Sequence, residues 1–359
     1  MARTILPFGP QHPVLPEPLH LKLVVEDEIV LEALPALGYV HRGLEKLCDI
    51  KDINQMIQVV ERVCGICSCL HAVCYCQAIE ALLGLDVPPR AKYLRVIWGE
   101  LHRMHSHLLW LGLFADAFGF ESLFMQFWKV RERIMDIMEA TCGNRVVVSV
   151  NVIGGVRRDL SPEQCSWILE QLAMAEKDIK RLSSTILADY TVCRRTKGKG
   201  VLTGEKALQL GAAGPTLRGS GVAQDARQEN YAAYGGLEFA PVTEPDGDSY
   251  SRSAVRFRET LQSIDLVRQA IARMPAGDIA VPVKGGKPQG EVTMRVEQPR
   301  GELFYYIKAD GTKNLDRLRI RTPTFANIPP LLAMLPGIEL ADVPVVVLSI
   351  DPCISCTER

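Results

Sequence analysis

The alternation of apolar and polar residues is clearest near the start of the chain. Residues 19–34, LHLKLVVEDEIVLEAL, alternate on both sides of the turn-like triplet Glu26-Asp27-Glu28. Successive side chains of a strand point to opposite faces, so a half-buried strand shows a period of two residues. This segment therefore predicts a β-hairpin in the N-terminal region.

Further along the chain, the apolar positions recur at helical spacing instead. Residues 91–115 and 122–141 each carry an apolar stripe over several turns. Helices of this length commonly pack side by side, so the centre of the chain is predicted to be a bundle of long helices.

Two more helices are predicted. Ser161 is a suitable N-cap, Pro162 suits the first turn, and Gln164 completes a capping box. The helix that they open should run to about Tyr190. Residues 254–274 show the helical spacing once more.

The remaining segments are expected to be less regular. Residues 195–250 are rich in glycine and charge, which is typical of irregular structure. Beyond about residue 290, apolar and β-branched runs such as GELFYYI and VPVVVLSI are separated by glycine and proline, and they predict short strands.

No repeat, low-complexity tract or evident linker divides the chain. The predicted fold class is therefore α+β, a single large domain with a central bundle of long helices, an N-terminal β-hairpin or sheet and short C-terminal strands. Within the domain 1–359, we expect a β region at 1–50 and a helical core at 51–190. An irregular and helical part should follow at 191–290, and a C-terminal active-site segment at 291–359.

The composition narrows the functional classes. Of the 359 residues, 47% are hydrophobic and 23% are charged, and the formal net charge of -1 offers no positive field for nucleic acid. No stretch reaches the roughly 18 consecutive apolar residues of a transmembrane helix, and the N-terminus lacks the apolar core of a signal peptide. We therefore expect a protein of the reducing cytosol that does not bind nucleic acid.

Eleven cysteines are present, and five of them lie between Cys64 and Cys76. In a reducing compartment such clustering favours metal binding or thiol chemistry over disulfides. Cys64 and Cys67 form a C-x-x-C pair whose glycine permits a tight turn, and a second pair follows near the other end, at Cys353 and Cys356. Four thiolates are a complete donor set for zinc, iron or nickel.

The spacing of these pairs leaves several interpretations open. A structural zinc site is about as plausible as a buried cofactor, although zinc ribbons usually bring two pairs together within a few dozen residues. A redox disulfide is less favoured, because neither pair lies in a clear βαβ context. No ferredoxin-like run of cysteines is present. The other cysteines are best interpreted as small buried hydrophobic residues: Cys48, Cys69, Cys74, Cys76, Cys142, Cys165 and Cys193.

The residues that flank the two pairs form longer motifs. RVCGICSCLH at 62–71 contains R-x-C-G-x-C-x-x-x-H, and DPCISC at 351–356 contains D-P-C-x-x-C. With these motifs the chain resembles the large subunits of [NiFe] hydrogenases. The segments GPQHP, GYVHRGLEK and SHLLW are also similar to the quinone-proximal subunit of respiratory complex I. The resemblance spans essentially the whole chain and indicates the energy-converting, membrane-associated group, such as the Ech type.

This resemblance implies a nickel–iron centre with cyanide and carbon monoxide on the iron. Cys64 and Cys353 would be terminal nickel ligands, and Cys67 and Cys356 would bridge nickel to iron. Thiolates suit a nickel ion that changes oxidation state. Dihydrogen would be split heterolytically at this centre, and a terminal sulfur such as that of Cys353 would take the proton.

Other motif residues would surround the centre. His71, one helical turn beyond Cys67, is expected to face that sulfur and to donate a hydrogen bond to the bridging thiolate, although a lone histidine is more often structural. By resemblance, Arg300 would hang over the open metal position, and Asp351 would orient it. Without the resemblance, a surface arginine would be the better interpretation. Two further residues would cradle a cyanide ligand: Pro323 and Thr324.

Proton exit requires a carboxylate near a terminal cysteine. Glu17 lies 28 residues before Glu45, which is the spacing of the corresponding glutamate in the family. The resemblance therefore implies that Glu17 is the first proton acceptor. The alternative is a solvated loop glutamate.

Glu45 itself matches a residue that binds a magnesium or iron ion in uptake-type relatives. A histidine near the C-terminus shares that ion in those relatives, whereas this chain has Arg359. A guanidinium cannot ligate a cation, so two interpretations of Glu45 stay open: a ligand of a second metal, magnesium or iron, near the C-terminus, or a partner of a positive charge. A further departure is Ser106, where uptake enzymes usually have an acidic residue, so Arg300 is expected to lack one carboxylate partner.

The resulting prediction is the catalytic subunit of an energy-converting [NiFe] hydrogenase, which reversibly reduces protons to dihydrogen. Ferredoxin would supply electrons through a small subunit with a [4Fe-4S] cluster, and integral-membrane subunits would hold the complex at the cytoplasmic face of the membrane. A maturation protease would process the precursor. The alternatives are a complex I-like quinone-reductase subunit without a metal centre and a non-catalytic scaffold stapled by zinc.

Overall fold

The computed structural model describes residues 3–283 and 286–359. It confirms the predicted α+β fold: long helices form the centre, and a three-stranded antiparallel sheet lies near each end of the chain. No helix within these two ranges is both long and apolar enough to cross a membrane.

The N-terminal sheet contains the predicted hairpin. Its strands are β1 (Thr4–Phe8), β2 (His20–Glu26) and β3 (Ile29–Ala36), paired in the order β1-β2-β3. The turn between β2 and β3 consists of Asp27 and Glu28, both with positive φ, as the tight turns that suit the twist of a hairpin require.

The helical core is confirmed as a bundle. Its main helices are α1 (Ile53–Glu61), α2 (Ser68–Leu83), α3 (Pro89–Asp116), α4 (Glu121–Cys142), α5 (Pro162–Ala188) and α9 (Ser249–Arg273). Helix α3 packs against α4 and α9, and α4 packs against α5. At the start of α5, Ser161 accepts a hydrogen bond from the Gln164 N–H and the Gln164 side chain accepts one from the Ser161 N–H, as the capping box predicted.

Between these helices the chain is less regular, as expected for residues 195–250. Three short helices and two 3-10 turns (Ala226–Glu229 and Tyr234–Gly236) lie between α5 and α9, and a two-stranded ribbon lies between α4 and α5. The ribbon is β4 (Asn151–Val152) with β5 (Gly155–Val156), and the short helices are α6 (Tyr190–Thr196), α7 (Gly204–Gln209) and α8 (Pro215–Arg218).

The C-terminal part combines a sheet with short helices. Its antiparallel strands, in the order β6-β7-β8, are β6 (Gln289–Gln298), β7 (Gly301–Asp310) and β8 (Arg317–Arg321). They are followed by α10 (Pro323–Met334), a 3-10 turn (Leu340–Asp342), α11 (Val343–Ser349) and α12 (Ile354–Thr357). The strand predicted for GELFYYI is confirmed as part of β7.

The prediction of a strand for VPVVVLSI is wrong, because this run forms α11. Pro344 lies in the first helical turn, where no N–H is needed. All residues of α11 except Pro344 are buried. A segment buried on all sides shows no alternation, so its β-branched residues were misleading. Packing against α3, α9 and α10 overrides the weak preference of valine for strands.

Two hydrophobic cores meet at the C-terminal segment. The larger joins the long helices to the sheet β6–β8, and the smaller joins the N-terminal sheet to α10 and α11. Cys353 and Cys356 belong to the larger core, and Ile354 between them belongs to the smaller one. This short segment is therefore held from both sides.

Candidate metal centre

The first cysteine pair lies in the connection between α1 and α2. Cys67 is the N-cap residue of α2, and the backbone N–H of Ile66 lies 3.3 Å from the sulfur of Cys64. Arg42 fixes the turn from outside, because its guanidinium donates a hydrogen bond to the Val63 carbonyl oxygen at 2.8 Å. The tight turn that the C-G-x-C spacing predicted is present.

The second pair lies at the start of α12. Cys353 is the N-cap residue of this short helix, and its backbone N–H donates to the hydroxyl of Thr324 at 3.2 Å. The hydroxyl of Thr322 donates to the Cys356 carbonyl oxygen at 2.9 Å. Thr324 and Pro323 begin α10, so the predicted cyanide-binding segment does lie beside the second pair.

The two pairs converge although they lie near opposite ends of the chain. The sulfur atoms of Cys64 and Cys353 are 3.2 Å apart, and those of Cys67 and Cys356 are 3.4 Å apart. The sulfurs of Cys64, Cys67 and Cys356 all lie within 4.8 Å of one another. All four side chains are buried, and the four cysteines are free thiols.

These separations suit a shared metal. Metal–thiolate bonds of about 2.3 Å place the sulfurs of a tetrahedral site about 3.8 Å apart, whereas a disulfide requires about 2 Å. The sulfurs are slightly closer than the first value and far from the second. The donor set therefore fits a soft metal ion or a small heterometallic cluster.

The protonation of the thiols also calls for a cation. Burial raises the pKa of Cys67 and of Cys356 well above the ordinary value, and hydrogen bonds to Cys356 and Cys64 do the same for Cys353. Hydrogen bonds from the neighbouring thiols, that of Cys353 above all, hold the pKa of Cys64 well below its usual range. Four thiolates side by side in a buried site would need a positive charge, which a bound metal would supply.

A fixed cation lies next to the sulfurs. Arg300 is 3% exposed, and its guanidinium donates to the carbonyl oxygen of Asp351 at 2.8 Å and to the Asp351 carboxylate at 2.9 Å. Burial alone disfavours the charged form, but Asp351 and the nearby thiols raise the pKa of Arg300 well above its ordinary value. A third, weaker contact at 3.4 Å joins Arg300 to the hydroxyl of Ser106, the position where an acidic partner was expected to be missing.

His71 contacts a different sulfur from the one expected. Its backbone N–H bonds to the Cys67 carbonyl, so the two residues are one turn apart as predicted. The imidazole Nε2, however, lies 3.6 Å from the sulfur of Cys356. Nδ1 lies 2.7 Å from the hydroxyl of Tyr305. Burial lowers the pKa of His71 to about 4, so the ring is neutral.

Glu17 lies between the centre and the outside. Its carboxylate accepts hydrogen bonds from the backbone N–H groups of Ile354 and Ser355 and from the Ser355 hydroxyl. It lines a mainly apolar cavity of about 210 Å³ together with Cys353 and Arg300. It also lines a second, more open cavity of about 360 Å³, formed by residues 10–13 and 15–18.

Glu45 pairs with positive charge, the second of the two interpretations that its sequence position left open. Its carboxylate accepts from the Ile320 N–H at 2.8 Å, from Arg319 at 2.9 Å and from Arg359 at 3.0 Å. Partial burial alone would raise the pKa of Glu45, but these three donors lower it below the ordinary value. Two guanidinium groups thus surround the carboxylate, and the residues do not fit a second divalent cation.

The segment GYVHRGLEK holds the C-terminal tail in place, which the sequence did not reveal. The Glu358 carboxylate accepts from the N–H groups of Gly38 and Val40, both at 2.6 Å, and its carbonyl oxygen lies 2.7 Å from the His41 ring. Arg42 donates to a carbonyl beside each cysteine pair. Thr322 and Tyr305 were likewise missed, because threonine and tyrosine carry no local signal of such roles.

The remaining cysteines are free thiols, and all except the partly exposed Cys193 are buried, as expected of small hydrophobic residues. In the described ranges, one cluster of His, Cys, Asp and Glu has the close spacing of metal ligands, and it consists of Cys64, Cys67 and Cys356.

Two protein families match the sequence. The family described as "Respiratory-chain NADH dehydrogenase, 49 Kd subunit" matches residues 117–286 and 281–359. The family described as "Nickel-dependent hydrogenase" matches residues 42–114. The two matches together include both cysteine pairs.

Individual relatives agree with these families. The chain is 41% identical to the carbon monoxide-induced hydrogenase of Rhodospirillum rubrum over the full length of both proteins. It is 39% identical to the membrane-bound hydrogenase subunit alpha of Pyrococcus furiosus, over 99% of this chain and 87% of the relative. Among solved structures, one chain of the membrane-bound sulfane sulfur reductase, an archaeal respiratory membrane complex, superposes on this protein with a TM-score of 0.94. The two sequences are 29% identical, and the match covers 99% of this chain and 98% of the other. The chain therefore belongs to the oxidoreductase family that comprises the large subunits of membrane-bound [NiFe] hydrogenases and the related 49 Kd subunit of respiratory NADH dehydrogenase.

Proposed function

We propose that this chain is the catalytic subunit of an energy-converting [NiFe] hydrogenase that interconverts protons and dihydrogen. The observation that carries the proposal is the convergence of four buried cysteines from two distant parts of the chain. Cys64 and Cys353 would hold nickel, and Cys67 and Cys356 would hold nickel together with an iron that carries cyanide and carbon monoxide.

The nickel–iron centre, when bound, would supply the capacity to activate dihydrogen. Arg300 contributes a cation whose position Asp351 fixes in advance, so negative charge that develops nearby is stabilised without rearrangement. The cavity beside Cys353 is lined by Leu109, Leu113 and Leu348. Such a surface admits a small apolar gas and disfavours bulk water.

Proton transfer would run from the sulfur of Cys353 to Glu17. Both residues line the inner cavity, and Glu17 also lines the outer one, so this carboxylate can exchange a proton on either side. The hydrogen bonds from Ile354 and Ser355 give Glu17 a second task, because they fix the turn that carries Cys353.

Replacing Glu17 by glutamine tests this role. The amide oxygen of Glu17→Gln can still accept hydrogen bonds from the N–H groups of Ile354 and Ser355, but the side chain cannot carry a proton. We expect unchanged nickel content and a loss of hydrogen evolution of roughly 10²- to 10⁴-fold, the usual size of a general acid–base contribution. The matched control is Glu32→Gln, an exposed glutamate on β3, which should retain full activity. A fully active Glu17→Gln enzyme would exclude Glu17 as the proton acceptor.

We also propose the partners that this function requires. The cysteines provide no ferredoxin-type spacing, so electrons would arrive from ferredoxin through a small subunit with a [4Fe-4S] cluster. The relative from Pyrococcus furiosus is named a membrane-bound hydrogenase subunit, and no helix in the described ranges can cross a membrane. Integral-membrane subunits would therefore anchor the complex at the cytoplasmic face, and a maturation protease would act on the precursor.

A second candidate is a quinone-reductase subunit without a metal. The match to the respiratory 49 Kd family over residues 117–286 and 281–359 favours it. The converging sulfurs count against it, because a metal-free subunit has no use for four buried thiols that lie at the distances of metal ligands.

Metal analysis combined with infrared spectroscopy of the purified complex separates these candidates. The hydrogenase proposal predicts nickel and iron in this subunit and absorption bands of metal-bound cyanide and carbon monoxide. A protein with zinc alone and no such bands would be the zinc scaffold. A protein without any of these metals would support the quinone-reductase candidate.

A further inference from the structure

We infer that Tyr305 is a positioning residue that fixes the tautomer of His71, so that the Nε2–H group of the imidazole points at the sulfur of Cys356. This inference rests on the proposed function, because it concerns a thiolate that binds the nickel–iron centre. Its evidence is the chain of contacts from the Tyr305 hydroxyl through both ring nitrogens of His71 to Cys356.

The hydrogen-bond roles in this chain follow from the metal-bound thiolate. A thiolate that binds metal has no proton and can only accept, so Nε2 of His71 must carry the hydrogen. In a neutral imidazole the other nitrogen, Nδ1, is then an acceptor. Tyr305, whose hydroxyl lies 2.7 Å from Nδ1, must therefore be the donor.

The opposite assignment leaves two groups unsatisfied. If Nδ1 carried the hydrogen, the lone pair of Nε2 would face the lone pairs of the Cys356 sulfur. The hydroxyl proton of Tyr305 would also need another acceptor, and in the part of the chain that the structure describes the hydroxyl has no other hydrogen-bond partner than His71. Unsatisfied polar groups are costly in a buried site, so the first assignment is favoured.

The fold holds both partners rigidly. Tyr305 lies on β7, the central strand of its sheet, where it is paired with Met294 of β6 and Ile320 of β8. Both Tyr305 and His71 have no exposed surface, and the two rings meet edge to face with centroids 5.9 Å apart. His71 lies on α2, which packs against β6 and β7. A sheet and a helix thus preset the direction of the imidazole.

The expected consequence is electronic. A hydrogen bond from His71 withdraws charge from the sulfur of Cys356, and its loss would return charge to the metals. More charge on the iron weakens the C–O bond of its carbon monoxide ligand. The carbon monoxide band should then move to lower wavenumber.

Infrared spectroscopy of the purified complex tests the inference with the variant Tyr305→Phe. We expect wild-type nickel and iron content and a carbon monoxide band that moves to lower wavenumber or splits, because the tautomer is no longer fixed. The matched control is Tyr75→Phe, which removes another buried hydroxyl, one that donates to the Ile53 carbonyl at 3.0 Å. Its band should stay in the wild-type position. A fully loaded Tyr305→Phe complex with an unmoved band would overturn the inference.

A second substitution distinguishes action through His71 from a change in packing. In a His71→Asn background, Tyr305→Phe should add no further shift, because the residue through which it acts is gone. The same shift in both backgrounds would show that Tyr305 acts by packing, and would overturn the inference.

A substitution that keeps the ring covers the case in which Tyr305→Phe fails to fold or to load metal. Replacing Tyr305 by 3-fluorotyrosine makes the hydroxyl a stronger donor and should move the carbon monoxide band to higher wavenumber; an unmoved band would count against the inference. If the wild-type complex shows no such bands, the proposed function fails, and this result differs from every outcome that concerns Tyr305 alone.

Discussion

The candidate metal centre can be compared with a second buried group of ionisable residues, which we call the ion-pair cluster. In this cluster every arginine has a carboxylate partner: Arg218 lies 2.7 Å from Glu259, and Arg103 lies 3.1 Å from Glu100. The cluster joins α3 and α9 to the irregular segment before α9 and to β6. Its members, all almost completely buried, are Glu100, Arg103, Arg218, Asp225, Arg227, Glu259 and Glu297.

At the metal centre the protein does not balance the charge in this way. The cation beside the sulfurs, Arg300, is already paired with Asp351. In the ion-pair cluster, by contrast, protein side chains supply both signs of charge. On the proposed function, a bound metal would supply the positive charge that four thiolates need. The comparison therefore predicts that the ion-pair cluster is structural and that the four cysteines form a site.

The largest expected effect comes from removing a sulfur at the metal centre. Cys353→Ser should abolish nickel binding and hydrogenase activity, because a hydroxyl replaces one of the thiolates. Metal analysis of the purified complex measures this directly. Cys76→Ala, a buried cysteine on α2 outside the centre, should keep its nickel. Equal nickel content in Cys353→Ser and wild type would remove the distinction between the two regions.

The next effect concerns stability and the ion-pair cluster. Glu259→Gln replaces one of the three carboxylates around Arg218, the one that also contacts His107, by a neutral amide. It should lower the free energy of unfolding by about 3 kcal/mol, as breaking a buried ion pair does. Denaturant titration measures the change. The control is Glu139→Gln in an exposed pair with Arg145, for which a loss below about 1 kcal/mol is expected. Equal losses would show that the cluster contributes no more than a surface pair.

The same glutamate predicts a pH dependence. Burial alone raises the pKa of Glu259, but Arg218 and the hydrogen bond from His107 lower it to about 2, below the ordinary value of 4.5. Its contribution to stability is therefore complete above about pH 4.5 and is lost as the pH falls towards about 2. Unfolding measured over this range should be less acid-sensitive in Glu259→Gln than in wild type. Identical acid profiles would contradict this account.

The smallest effect concerns the C-terminal arginine. Arg359→Met removes one of three donors to Glu45 and should cost about 1 kcal/mol or less, because Arg319 and the Ile320 N–H remain. The wild-type protein should contain no tightly bound magnesium. Magnesium that is retained in wild type and lost in Glu45→Gln would show that a second metal is bound here after all.

Several parts of the fold could be predicted from local sequence patterns alone. The hairpin around Asp27, the long helices and the capping box at Ser161 all follow from periodicity and backbone chemistry. The run VPVVVLSI failed because burial on every side removes the period that separates strand from helix. The ion-pair cluster could not be predicted. Part of it lies in residues 195–250, whose glycines and charges indicated irregular structure, and no local pattern shows that Arg218 and Arg227 are buried.

The site divides in the same way. The two cysteine pairs and Arg300 could be proposed as site residues because they lie in recognisable sequence motifs. The structure brings them together. The sulfur that His71 contacts could not be predicted, because it depends on how α12 approaches α2. Tyr305 and Glu358 act through tertiary contacts with residues far away in sequence, so a single sequence contains no spacing that reveals them.

X-ray absorption at the nickel edge of the purified complex tests the central claim most directly, because it counts the atoms bound to nickel. The account predicts nickel bound by four sulfur atoms with an iron neighbour, and the loss of this signal in Cys353→Ser. Nickel bound mainly by nitrogen and oxygen, or no nickel in this subunit, would contradict it.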